Sequence, residues 1–184
     1  MSSETSANQN GWIQAPTYHV ETSAHAEGVE RLYDRVFGPG RFARTAERLR
    51  EGNSLLLDCS RVVMDEGGDI VAAVRLWPLA VGGEVSAVFV GPVAVDKTFR
   101  GGALGLEMTN VCLQSAKEQG FSHAVLIGDA PYFGKIGFVP CKSSDYPAPG
   151  HIPEGRLLMR TLLPEGELPT PGALSVPRGA TSAS

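Results

Sequence analysis

Val93, Ala94 and Val95 close an apolar stretch, and Arg100-Gly101-Gly102-Ala103-Leu104-Gly105 follows shortly after at the head of an amphipathic segment. An order of strand, glycine-rich turn and helix exposes the unpaired N–H groups and partial positive charge of a helix start. Glycines let a ligand approach that backbone closely. The chemistry on offer is capture of a phosphate or pyrophosphate. A strand-to-helix turn without a ligand is the plain alternative. Two other phosphate-binding patterns do not fit. A dinucleotide fingerprint needs glycines spaced G-x-G-x-x-G, and a P-loop needs Gly-Lys-Ser/Thr.

Farther along, Gly128-Asp129-Ala130-Pro131-Tyr132-Phe133 sets a carboxylate at a strand end, with a phenol just beyond it. Asp129 could orient an acceptor ammonium or relay its proton, or simply cap the next short helix. Glu84 and Asp96 are further acids near the central strand, readable as a solvated strand end and a turn residue. His19, His25, His123 and His151 lie far apart in no ligand spacing, so no metal site is expected. Cys59, Cys112 and Cys141 lack zinc or redox spacing and read as reduced, apolar thiols. No Gly-x-Ser-x-Gly elbow supports a serine hydrolase.

The elements that would position these groups alternate along the chain. Residues 12–20 read as a first strand. Residues 24–37 read as a helix with Ser23 as N-cap and Val29, Leu32, Tyr33 and Val36 on one face. Gly38-Pro39-Gly40 stops it, and a short helix over 43–50 ends before Gly52. Strands over 54–64 and 70–77 form a hairpin, and a strand over 84–95 follows Gly82-Gly83. The helix over 104–119 carries Leu104, Met108, Val111, Cys112 and Ser115 on one face, with Gly120 after its end. Residues 122–128, a nearly unbroken apolar run, read as a buried parallel strand. A short helix over 132–136 and strands over 138–142 and 156–163 complete the set. The fold class is α/β, a mixed and largely antiparallel sheet flanked by helices.

Several of these segments carry a family resemblance. Arg100-Gly101-Gly102-Ala103-Leu104-Gly105 resembles the pyrophosphate loop of the GNAT N-acetyltransferases, Gln/Arg-x-x-Gly-x-Gly/Ala, with Ala103 in the place of the middle glycine. Val93-Ala94-Val95 is similar to the family's fourth strand, whose exposed backbone pairs with the pantetheine arm. The stretch from Gly128-Asp129 to Gly137-Phe138 resembles its second motif, an aromatic-rich helix ending in Gly-Phe, in the form closest to the YhbS-like bacterial branch. Phe37-Gly38-Pro39-Gly40-Arg41-Phe42 and Leu49-Arg50-Glu51-Gly52 are similar to that branch's acceptor-side helices. The match runs from about Tyr18 to Leu163.

The resemblance implies acetyl-CoA as co-substrate, bound by Val93, Ala94, Val95, Arg100, Gly101, Gly102, Ala103, Leu104 and Gly105. It implies that the strands over 85–95 and 122–128 part at their C-terminal ends. Pro92 has no N–H to lose where a bulge would break the ladder, and an edge or bulge proline without functional meaning is the plain alternative. Relatives often place a tyrosine five residues before the closing Phe, where it protonates the departing thiolate. Here that position is Phe133, read as lining the pantetheine channel, and Tyr132 is the adjacent acid candidate. One helical residue is a turn of about 100°, so a neighbour does not simply inherit the role. The function implied is acetyl transfer to a primary amine of a small molecule or peptide. A non-catalytic acyl-CoA-binding or sensing module with the same fold is the alternative. Residues 146–153 read as an acceptor-side loop.

Composition bounds the rest. The 184 residues suit one domain, at 42% apolar and 20% charged with a net charge of −4. Without a basic cluster, neither nucleic acid nor a membrane surface is expected as a partner. The chain reads as cytoplasmic, and a homodimer is left open. Residues 1–11 and 165–184 read as flexible tails around a domain over 12–164, because they offer too little apolar surface to offset ordering.

Overall fold

The structure, a computed structural model, describes residues 15–43, 45–164 and 167–178. The tail over 1–11 and residues 12–14 of the expected first strand lie outside them. In chain order the elements are β1 His19–Val20, α1 Ala26–Phe37, α2 Thr45–Arg48, β2 Arg61–Met64, β3 Ile70–Val81, β4 Glu84–Val95, α3 Leu104–Glu118, β5 His123–Ile127, α4 Ala130–Phe133, β6 Val139–Pro140, β7 Leu157–Thr161 and β8 Leu174–Ser175. The strands form one sheet in the order β1-β2-β3-β4-β5-β7-β6, with β8 on β3. Among the described residues only the β4–β5 pair is parallel.

Alternation along the strands sorts the core onto two faces. Val74, Leu76, Val88, Val90, Ala124 and Leu126 point to the side that α3 covers with Leu104, Met108, Cys112 and Ala116. Ala73 and Ala94 point to the other side, beneath Val29, Leu32 and Tyr33 of α1. On that same side Leu79, Phe89 and Val125 meet Leu49, Leu157 and Met159. The sheet is thus held between α1 and α3, with its central strands buried on both faces.

Four expectations need correction. Ser23 does not cap α1. Thr22 precedes a 3-10 turn over Ser23–His25 and donates its N–H to the His25 ring at 3.1 Å, so α1 starts only at Ala26. The strand expected over 54–64 shortens to the four residues Arg61–Met64. The Ser60 hydroxyl donates to Leu56 O at 2.8 Å and accepts the Leu76 N–H at 3.0 Å, which stabilises a 3-10 turn over Leu57–Cys59. β3 runs past Trp77 to Val81, through Pro78. That proline lies between the stretch paired with β2 and the stretch paired with β8, so no ladder requires its missing N–H.

The C-terminal segment departs from its reading as a tail. Leu174 and Ser175 pair with Val81 and Ala80, and Leu174 is 2% exposed in the core. Gly82 N–H donates to Ala173 O and Leu174 N–H to Pro147 O. One buried leucine and its backbone pairing order a stretch whose average composition hides it.

Candidate active site

The β4–β5 ladder runs from Ala87↔His123 to Phe89↔Val125 and stops there, although both strands continue. From Val90 onward β4 pairs with β3 alone. On β3 Val74 and Leu76 are two positions apart, while their partners Val93 and Val90 are three apart, so β4 bulges over Gly91 and Pro92. The bulge turns two carbonyls out of the ladder, and side chains meet them. Trp77 Nε1 donates to Gly91 O at 2.8 Å, and the Tyr33 hydroxyl donates to Pro92 O at 3.3 Å.

Beyond the bulge, Asp96 N–H donates inward to Val71 O at 2.8 Å, and Arg100 Nε donates to Val95 O at 2.9 Å from the opposite side. Backbone groups alternate along an antiparallel strand, so Val93 and Val95 direct theirs away from β3 into the gap. Apart from Val95 O, which Arg100 meets, the gap is a row of strand backbone open on one edge, suited to an extended amide-bearing ligand.

The turn at the end of β4 is built locally. Asp96 caps a 3-10 turn over Lys97–Phe99 through Thr98 N–H and pairs with Arg35 at 3.3 Å. Burial works against its charge, but those hydrogen bonds and Arg35 hold its carboxyl below the usual range. Positive φ falls on Gly101, at 96°, and not on Ala103, which sits at φ −85°, ψ −2° as the N-cap of α3. The departure from the family pattern at Ala103 therefore imposes no strain. Gly105 is buried on the first turn of α3. A β-carbon there would stand 2.9 Å from the Tyr132 hydroxyl, 3.4 Å from Val95 Cγ2 and 3.5 Å from Val93 Cγ1. The head of α3, the open edge of β4 and the Tyr132 phenol thus share one small space.

Tyr132 and Phe133 face different ways. The Phe133 ring packs over Gly128, 2.8 Å from where a β-carbon would lie, and lines a cleft of about 830 Å³ between the parted strands and the acceptor-side loops. Tyr132 meets it edge-on at 4.9 Å and turns its hydroxyl to α3. Burial pushes the Tyr132 phenol above its usual pKa of 10.0. Asp129 caps α4 by accepting Tyr132 N–H at 3.0 Å, and it also lies on the cleft. Glu84 is exposed on a different pocket, and neither it nor Asp96 lines the cleft.

The far wall of the cleft carries residues that the sequence reading did not single out for chemistry. Arg41, Arg48, Arg50 and Arg156 line it with Thr45, Gly150 and His151. Thr45 Oγ1 donates to His151 O at 2.6 Å, and Arg48 to Pro149 O at 2.7 Å, which fixes the 146–153 loop against α2. Among the described residues no group of three or more His, Cys, Asp or Glu could hold a metal ion. Among the described residues no helix is long and apolar enough to cross a membrane either.

A mixed sheet that parts beside a bulged fourth strand, with a glycine-turned helix start at its edge, defines an acyl-CoA N-acyltransferase architecture. The chain belongs to the acetyltransferase (GNAT) family, whose model matches residues 20–138. It is similar to the uncharacterized N-acetyltransferase YhbS of Escherichia coli K12, 32% identical over 120 residues that make up 65% of this chain and 71% of the relative. The crystal structure of E. coli YhbS in complex with CoA superposes with a TM-score of 0.73 at 27% identity, covering 88% of this chain and 89% of that one. A GNAT family acetyltransferase from Brucella melitensis in complex with acetyl-CoA shares the fold at a TM-score of 0.66 and 20% identity, covering 88% and 95%.

Proposed function

We propose that this protein transfers an acetyl group from acetyl-CoA to a primary amine of a small molecule or peptide. The observation that carries the reading is the parting of β4 from β5 beside the glycine-turned head of α3. The first turn of α3, with Arg100, Gly101, Gly102, Ala103, Leu104 and Gly105, receives the pyrophosphate. The outward backbone of Val93 and Val95, with Ala94 between them, pairs with the pantetheine amides. The thioester then lies where the strands part, and the amine enters from the cleft. Its nitrogen attacks the carbonyl carbon, a C–N bond forms, the C–S bond breaks and the thiolate leaves. The amine gives up one proton and the thiolate takes one. Asp129, on the cleft, is the group assigned to the ammonium, and Phe133 forms the apolar wall.

Tyr132 is assigned to the departing sulfur. Its hydroxyl shares the space of Val93, Val95 and Gly105, and its raised pKa keeps it protonated through neutral pH. Tyr132→Phe is expected to lower kcat for thiol release by about 100-fold, with little change in KM for acetyl-CoA. Full turnover across the pH range would remove Tyr132 from the mechanism. One observation favours the rival reading, a module that binds acyl-CoA without turnover: the residue facing the cleft is Phe133, which has no proton to give. Should Phe133→Tyr alone create activity in an otherwise inert protein, that rival replaces the enzyme.

Arg100 acts here through the turn, by its bond to Val95 O. Arg100→Ala is expected to weaken acetyl-CoA binding by roughly 2- to 10-fold, the worth of one hydrogen bond. Calorimetry at low and high salt separates this from a phosphate contact. A loss that shrinks as salt rises would move Arg100 onto the phosphates.

A further inference from the structure

We infer that the acceptor is an amine that also carries a carboxylate, and that Arg50 receives it; the inference rests on the acetyltransferase reading above. Four guanidiniums line the cleft, those of Arg41, Arg48, Arg50 and Arg156, against the single carboxylate of Asp129. They are not equivalent. Arg41 is held by Glu30 at 2.7 Å and Asp34 at 3.2 Å. Arg48 is exposed and gives one nitrogen to Pro149 O. Arg156 stands 4.0 Å from Asp129, with half its side chain in solvent.

Arg50 is buried like Arg41, each with a side chain 9% exposed, but it has one carboxylate partner where Arg41 has two. It gives one nitrogen to Glu47 at 2.8 Å, and its other nitrogens make no hydrogen bond among the described residues. One of those, Nη1, lies 3.9 Å from the β-carbon position of Gly91, on the bulge where β4 leaves β5. A guanidinium taken out of water with open donors facing a cleft is a receptor for a planar anion. Burial lowers its own pKa, the direction expected of a cation short of counter-charge.

The same charges act on the nucleophile. An ammonium surrounded by cations loses its proton more readily, which supplies the neutral amine that attack requires. An acceptor whose only charge is its ammonium would be repelled, whereas one bearing a carboxylate brings its own balance. The phosphates of the coenzyme do not account for these cations. No residue from Arg100 to Gly105 lines the cleft.

The test compares matched pairs: phenylalanine with phenethylamine, lysine with cadaverine, and β-alanine with ethylamine, plus O-phosphoethanolamine as a phosphate arm. Thiol release from acetyl-CoA is measured, alongside calorimetric binding of each compound to the CoA-loaded protein. At least one carboxylate member is expected to exceed its partner in kcat/KM by about tenfold or more. Arg50→Gln should bring the pair close to parity by raising KM for the amino acid, with KM for acetyl-CoA unchanged. Because Arg50 is buried, Arg48→Gln and Arg156→Gln, both at exposed positions, provide second variants that should narrow the gap in part. Equal or better use of the amines without a carboxylate, or a preference that survives all three variants, overturns the inference while leaving the transferase reading standing. Preference for the phosphate arm overturns the carboxylate assignment. Charge-selective binding to the CoA complex without thiol release supports recognition by Arg50 and sinks the transferase reading instead. Absence of both binding and turnover for every carboxylate overturns the inference.

Discussion

Replacing Gly102 with glutamate is expected to raise the Kd for acetyl-CoA by at least about 100-fold, roughly 3 kcal/mol, while leaving thermal unfolding unchanged. Gly102 is half-exposed and is not among the glycines at positive φ, so a side chain meets no backbone strain. The new carboxylate would stand at the head of α3, against the phosphates that the proposed site receives, and would also neutralise the positive end of the helix. Calorimetry beside a melting curve reads both quantities, and unchanged affinity in a folded Gly102→Glu protein would sink the coenzyme assignment. Gly105→Val is a poorer probe. Its β-carbon would meet the Tyr132 hydroxyl and the valines of β4, so it would disturb packing as well as binding. At Gly101 the backbone sits at φ 96°, where any side chain is strained whether or not a ligand comes.

The second large effect concerns stability. Arg75, on β3, is buried against α1 and makes three hydrogen bonds to Glu21, which is 1% exposed, and one to Glu30 at 2.7 Å. Glu30 also accepts from Arg41 at 2.7 Å, and both guanidiniums lie over the Tyr33 ring, at 5.4 Å and 5.8 Å. Glu21→Ala leaves Arg75 with one carboxylate where it had two. It is expected to cost about 3 kcal/mol and to lower Tm by roughly 6–12 °C. Replacing the pair together, Glu21→Leu with Arg75→Met, should cost less than Glu21→Ala alone, because no buried charge is left without its partner. A double variant as unstable as the single one would show that the pair is not the source.

Acid should reach the same network. Burial opposes the charge on Glu30, but hydrogen bonds from Arg75 and Arg41 hold its pKa below the ordinary 4.5. A depressed carboxylate stabilises the fold fully above its unfolded pKa, and that contribution fades as pH falls through the lowered folded value. As pH drops below about 4.5, Tm should therefore fall more steeply in the parent than in Glu30→Gln. The network also bears on the site, since its Tyr33 hydroxyl donates to Pro92 O in the bulge.

What was legible in the sequence was what neighbouring residues decide among themselves. The strand Glu84–Val95 and the start of α3 at Leu104 fall where alternation, Gly82-Gly83 and the glycine turn put them. The cap at Asp129, one of the two readings open for that residue, rests on a partner three positions on. Each depends on contacts a few residues apart, which leave a pattern in the letters.

Tertiary structure decided the rest. Ser60 reads as a strand residue until Leu56 and Leu76 come within reach of its hydroxyl. Leu174 reads as part of a tail until β3 offers it an edge and a pocket. Tyr132 and Phe133 are adjacent letters, and only the packing of one against Gly105 and the other over Gly128 assigns them different walls. The cationic cleft is the clearest case. Arg41, Arg48 and Arg50 lie close along the chain, but Arg156 is distant from them, and α2, the bulge and the 146–153 loop bring all four to one place. Electrostatic energy depends on distance in space, and a sequence records only distance along the chain.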